Sequence, residues 1–157
     1  MKRHVLVPCL VAVASALVGC SSGPKKYNLI VHVDPQLLQT SSVNVDLIGA
    51  NDSVTKQIDN QELSEYWDLT VEARRARYTG LRELHFPRGS TDDLEIRRGD
   101  ASWKTWRKQK ASNVMVLTEG TPTYLKESID LNEKWGSRTL IINIDSSGIF
   151  VNADVGQ

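Results

Sequence analysis

Apolar and polar positions alternate in short runs along most of this chain, the period-two pattern of strands with one buried face. In the stretch from Tyr27 to Val33, Leu29, Val31 and Val33 share one face while Ile30 and His32 share the other, and Asp34-Pro35 stops the run. Val43–Gly49 alternates more cleanly. Val43, Val45 and Leu47 point inward, Asn44 and Asp46 outward, and Gly49 with the polar run Ala50-Asn51-Asp52-Ser53 ends the strand. The period then changes: Leu63, Tyr66 and Trp67 lie at i, i+3 and i+4, one face of a short helix that Asp59 or Asn60 can cap and that packs onto a sheet. Val71–Tyr78 is compatible with a continued helix, broken at Thr79-Gly80, and Leu81–Phe86 reads as a strand closed by Pro87-Arg88-Gly89.

Further along, Asp93–Arg97 alternates and stops at Gly99, and Asp100 or Ser102 can cap a brief helix carrying Trp103 and Trp106. Asn113–Thr118 is a buried strand ended by Gly120-Thr121-Pro122, and Leu125, Ile129 and Leu131 mark another extended segment. Thr139–Ile144, a polar turn at Asp145–Gly148 and Ile149–Asn152 form a β-hairpin. About seven strands at this spacing predict a mainly β chain, an antiparallel β-sandwich with one or two short helices.

The N-terminus follows a different pattern. Lys2, Arg3 and His4 precede an apolar stretch from Val5 to Ala16 that is too short to span a bilayer. This is the layout of a secretory signal peptide. Leu17-Val18-Gly19-Cys20 resembles a bacterial lipobox, which implies cleavage after residue 19 and lipid modification of the Cys20 thiol as the new N-terminus. Ser21 after the cysteine, by resemblance to enterobacterial lipoproteins, implies export to the outer membrane. Several acyl chains hold far more firmly than one, so no transmembrane helix is needed. The organisation expected is therefore a signal peptide over 1–19, a lipid-anchored polar tether over 20–26 and a β-sandwich domain over 27–157.

Composition narrows the chemistry. Removing 1–19 leaves 138 of the 157 residues (157 − 19), the size of one domain, and reduces Lys+Arg to 17 (19 − 2) against 19 Asp+Glu. A mature charge of about −2 gives no reason to expect nucleic acid. Cys9 falls in the signal and Cys20 carries the lipid, so the mature domain has no thiol for a disulfide. Only His32, beside Asp34, and His85 remain as histidines, a poor zinc set without cysteines. No metal-protease, nucleophile-elbow, phosphate-loop or EF-hand motif is present. Asp92-Asp93, and Asp52 near Asp46, are the nearest approach to paired carboxylates, at no informative spacing. The expectation is no catalytic residue, no metal, no cofactor and no enzymatic activity.

Two stretches are locally basic and aromatic. Arg74, Arg75, Arg77, Arg82 and Arg88 surround Tyr78; Trp103 and Trp106 alternate with Lys104, Arg107, Lys108 and Lys110. Either suits anionic lipid or an acidic partner. The second also suits a helix whose tryptophans plug an end of the sandwich while Lys104, Arg107 and Lys108 face solvent.

Taken in order, the lipobox, the Ile30-Val31-His32-Val33-Asp34-Pro35 strand, Val43–Leu47, the helix with Leu63, Tyr66 and Trp67, Leu84-His85-Phe86-Pro87, Trp106 before Val114–Leu117 and the Leu140–Val151 hairpin resemble the outer-membrane lipoprotein of type VI secretion systems. That family has a transthyretin-like β-sandwich with added helical turns. The resemblance implies a non-enzymatic anchor, lipid-held at the outer membrane with its domain toward the periplasm, that binds the periplasmic part of an inner-membrane secretion component. It implies a contacting loop within Asn51–Gln61, with Asn51, Asp52, Ser53, Gln57, Asp59 and Gln61 as candidate partner-binding residues. Asp34–Leu38 and Asp52–Asn60 match the family's loop patterns only loosely. The alternative is a lipid-anchored small-ligand or glycan-binding module, in which exposed Trp103, Trp106 and Trp135 form a platform. Oligomeric state is not encoded in any of these features.

Overall fold

The computed structural model describes residues 25–121 and 123–154. The signal segment 1–19, Cys20 and the start of the tether lie outside the described residues. Among the described residues, eight strands and five short helices follow in order: β1 Asn28–Val33, α1 Pro35–Thr40, β2 Val43–Ala50, α2 Asp52–Asp59, α3 Leu63–Trp67, α4 Val71–Arg77, β3 Arg82–Phe86, β4 Leu94–Ile96, α5 Ala101–Lys108, β5 Asn113–Glu119, β6 Leu125–Asp130, β7 Thr139–Ile144 and β8 Ile149–Ala153.

The strands form two four-stranded sheets, ordered β4-β1-β7-β8 and β3-β2-β5-β6, and make the expected β-sandwich. The second sheet is antiparallel throughout. The first is mixed: β1 runs parallel to β7, from Asn28 opposite Thr139 to Val33 opposite Ile144. Its other pairs are antiparallel. Period-two patterning specifies which face of a strand is buried, but not the direction of its neighbour.

The main core lies between the sheets. Leu29, Val31 and Val33 of β1 meet Val43, Val45 and Leu47 of β2, Val114 and Val116 of β5, and Leu140, Ile142 and Ile144 of β7, all buried. Each such side chain contributes about 1.5–3 kcal/mol on removal from water. Helix α5 adds Trp103 and Trp106, both fully buried and 4.9 Å apart between ring centroids in an edge-on arrangement, while Lys104, Arg107 and Lys108 are exposed. Asp100 starts this helix by accepting a hydrogen bond from the Ser102 amide at 2.8 Å.

Helix is more extensive than the one or two short helices expected. Asp34-Pro35 does not simply stop β1: the Asp34 carboxylate accepts from the Gln36 amide and Pro35 occupies the first turn, so a helix begins there. Gly49 does not end β2, which continues to Ala50. The segment expected as a loop after β2 is helix α2, with Asn51 as its cap. Asp59 and Asn60 close α2 rather than cap α3, whose N-terminal flank is Glu62 with no side-chain cap.

Candidate partner-binding face

The outer face of the second sheet determines how the candidate residues are presented. On β2, Asn44, Asp46, Ile48 and Ala50 point away from the sandwich core. Asp46 was expected to face solvent on this side, but it is only 1% exposed. The reason is the layer of α2, α3 and α4 lying over that face. Ile48, Ala50, Met115 and Leu117 of the sheet meet Ile58, Tyr66, Trp67 and Tyr78 from this layer in a second apolar cluster.

Asp46 is accommodated there by a polar cluster. Tyr66 donates its hydroxyl to Asp46 Oδ2 at 2.6 Å. Arg74 Nε sits 3.0 Å from the same oxygen, as an ion pair rather than an aligned hydrogen bond. The guanidinium donates through Nη1 to the Leu69 carbonyl at 2.9 Å and lies 4.7 Å from the Trp67 ring. Burial pushes the Asp46 carboxyl up to about 6, against the opposing pull of the Tyr66 hydroxyl and the Arg74 charge. Burial, and next the Asp46 charge, raises the Tyr66 phenol well above its ordinary value. Arg75 bonds Glu83 on β3, 2.9 Å from Nε to Oε2. These contacts clamp α3 and α4 to the sheet. The carboxylate is enclosed and spent on its neighbours, the arrangement of a structural tie.

The six candidate contact residues fall on or beside α2, in two groups. Asn51 is structural: its Oδ1 accepts from the Ser53 and Val54 amides at 3.1 Å, and its Nδ2 donates to the Gln109 carbonyl at 3.2 Å. Gln61 accepts from the Tyr78 hydroxyl at 3.0 Å. Asp52, Ser53, Gln57 and Asp59 are exposed. Asp59 reaches Lys126 of β6 at 3.1 Å, and the Gln57 amide, with its oxygen toward the guanidinium, accepts from Arg77. The buried side of α2 is Ile58, with Val54 half-buried against the second cluster. The helix therefore presents a polar face of both charge signs.

The remaining candidate chemistry is dispersed. His32 does not pair with Asp34; its Nδ1 lies 2.7 Å from Asp93 Oδ1, on the first sheet. His85, on the second sheet, contacts Asn44 Oδ1 at 2.7 Å. Asp46 is enclosed while Asp52 opens α2, so these carboxylates are not a working pair. Among the described residues, no three His, Cys, Asp or Glu side chains are grouped to hold a metal ion. Of the three tryptophans proposed as a ligand platform, Trp103 and Trp106 are inside the core and Trp135 alone is partly exposed. Of the basic stretches, Arg74 is buried against Asp46, a role its neighbours in sequence gave no means to distinguish.

No protein-family model matches the chain, and no curated protein matches it in sequence. Solved structures do match. Lip of Serratia marcescens, described as a membrane-bound component of the type VI secretion system, aligns at a TM-score of 0.55 and 13% identity over 85% of this chain and 99% of that one. The type VI secretion lipoprotein TssJ1 of Pseudomonas aeruginosa aligns at 0.52 and 11% identity, again over 85% and 99%. A chain of a structure described as a type VI membrane complex aligns at 0.53 and 10% identity over 82% and 98%. At such identities the likeness is one of fold: this chain shares the β-sandwich of the type VI secretion lipoproteins over almost the whole length of those chains.

Proposed function

We propose that this protein is an outer-membrane lipoprotein, cleaved before Cys20 and acylated there, that acts as a non-enzymatic anchor for a protein partner in a type VI secretion envelope. The observation that carries this reading is the combination of a lipobox-like N-terminus with a sandwich that spans 98–99% of the matching type VI chains. The fold likeness alone is compatible with other uses of a sandwich. The lipobox supplies the attachment, and the domain projects into the periplasm from it. The partner would be the periplasmic part of an inner-membrane secretion component, met by the exposed face of α2 at Asp52, Ser53, Gln57 and Asp59. That face suits a polar, electrostatically matched interface more than an apolar one.

The test is capture from the native envelope. Affinity-tagged full-length protein, purified from detergent-solubilised membranes, should bring down an inner-membrane protein with a periplasmic domain. Recovery of the acylated protein alone, under conditions where known envelope complexes survive, would overturn the adaptor reading.

A further inference from the structure

We propose that a basic cleft at the start of β1 is a docking surface for the anionic phospholipid headgroups of the bilayer to which the chain is tethered. This rests on the lipid-anchor reading. The cleft, of about 460 Å³, gathers Lys25, Lys26, Arg98, Lys134 and Arg138 around Trp135. These residues come from three distant parts of the chain, and the fold fixes them together. The Asn28 amide donates to the Arg138 carbonyl at 2.8 Å, and the Arg98 amide donates to Asn28 Oδ1 at 2.9 Å. Trp135 Nε1 donates to the Asp130 carbonyl at 2.9 Å, which sets the indole at the cleft wall.

Charge is the first argument. The cleft lining contains five cations and no carboxylate, in a chain whose formal charges balance. Asp130 and Glu133 stand near Tyr27 at the edge of the cleft, two negative charges against the five positive ones of the lining. Holding like charges together is unfavourable unless an anion faces them. Position is the second. Lys25 is five residues beyond Cys20, and a fully extended chain spans at most about 3.6 Å per residue, so an acylated Cys20 keeps the cleft within about 18 Å of the headgroup plane. Composition is the third. A half-exposed tryptophan among lysines and arginines is the mixture found at membrane–water interfaces, where the indole sits at headgroup depth. Each cation near an anionic leaflet strengthens partition by roughly five-fold. The acyl chains would hold the domain to the bilayer, and the cleft would set which end faces it.

The experiment uses the full mature protein, purified with its lipid and reconstituted into vesicles of phosphatidylcholine alone or mixed with phosphatidylglycerol bearing bromine near the headgroup. Trp67, Trp103 and Trp106 are shielded, so contact quenching reports on Trp135. Quenching is expected with the anionic lipid, and it should fall with salt and be lost in Lys134→Glu/Arg138→Glu. Lys25→Glu/Lys26→Glu, ahead of the first strand, should lose it too with an unchanged urea midpoint, which separates the effect from misfolding. Equal quenching by a zwitterionic brominated lipid would overturn the proposal. So would charge-reversed variants that quench like wild type, or that lose partner capture while still quenching, since the cleft would then serve an acidic protein. The anchor is tested separately: if mass spectrometry finds no acyl group on Cys20, the anchor reading fails, whereas failure of the cleft leaves an acylated, vesicle-bound protein without lipid-dependent quenching.

Discussion

Trp106 lies against the bare Cα of Gly49: a Cβ built on that glycine would come within 2.3 Å of the indole Cγ and Cδ1. The ring cannot easily retreat, because its Nε1 donates to the Gly80 carbonyl at 2.7 Å and the side chain is fully buried. Glycine here permits a close approach of helix α5 to β2. Gly49→Ala is expected to destabilise the domain by about 1–3 kcal/mol, the range for overfilling a packed core. Urea unfolding measures it. A midpoint unchanged from wild type would show that the indole has room to move.

The Asp46 carboxyl is held at about 6, above the 3.8 of an ordinary aspartate, so the folded chain keeps its proton more tightly than the unfolded chain does. The associated stability is full below about pH 4 and is lost as pH rises through about 6, a change of order 3 kcal/mol. Asp46→Asn cannot ionise and lacks this term. Unfolding curves taken at about pH 4 and about pH 7 should therefore shift in the variant's favour as pH rises. Parallel pH profiles for the two proteins would contradict the assignment.

Removing the hydroxyl of Tyr66 takes a hydrogen-bond donor from a buried carboxylate. Tyr66→Phe should cost about 1–3 kcal/mol and raise the Asp46 value further, because the hydroxyl stabilises the ionised form. Direct titration of Asp46 by NMR in this variant reads the shift. A downward move would mean the hydroxyl does not favour the charged form.

Asn51 and Ser53 separate the fold from the recognition proposed for α2. Asn51→Ala removes the helix cap and should lower stability by about 1 kcal/mol. Ser53→Arg adds bulk and charge on the exposed face, should keep stability within about 0.5 kcal/mol, and should weaken partner capture. Unweakened capture by Ser53→Arg would remove this face from the interface.

Under the proposed anchor, Cys20→Ser removes the thiol that would accept the lipid. The expected product is an unacylated precursor with altered membrane fractionation, read by mass and by membrane washing. A variant that matures and fractionates as wild type does would eliminate the anchor.

Much of the sandwich was legible because its strands have one apolar side. Leu29, Val31 and Val33, or Leu140, Ile142 and Ile144, declare a buried face by alternation alone. The helices over the second sheet were less so. Helix α2 has only Val54 and Ile58 on its buried side, too few for a periodic signal, and its start is marked by Asn51 rather than by apolar spacing. Asp46 was misread because alternation assumes that the second face meets water. A signal was present in Ile48, Met115 and Leu117, which are apolar on that same face and need a cover. The basic cleft left no trace along the chain, because its cations come from residues 25–26, 98 and 134–138 and meet only through the β1–β7 pairing and the turn before α5.

That parallel pairing has a mechanical consequence. Strand β1 lies between β4 and β7, and it is the first strand of the chain, entered directly from residues 25–27. Tension applied along β1 from its N-terminal end and opposed at the far end of β7 would load those hydrogen bonds together, in shear, instead of opening them one after another. Under that load β1 would have to slide past β7 along the whole register from Asn28 to Val33 at once. Under the proposed lipid anchor, the end of the domain nearest the membrane would also be the end whose first strand is held on both sides.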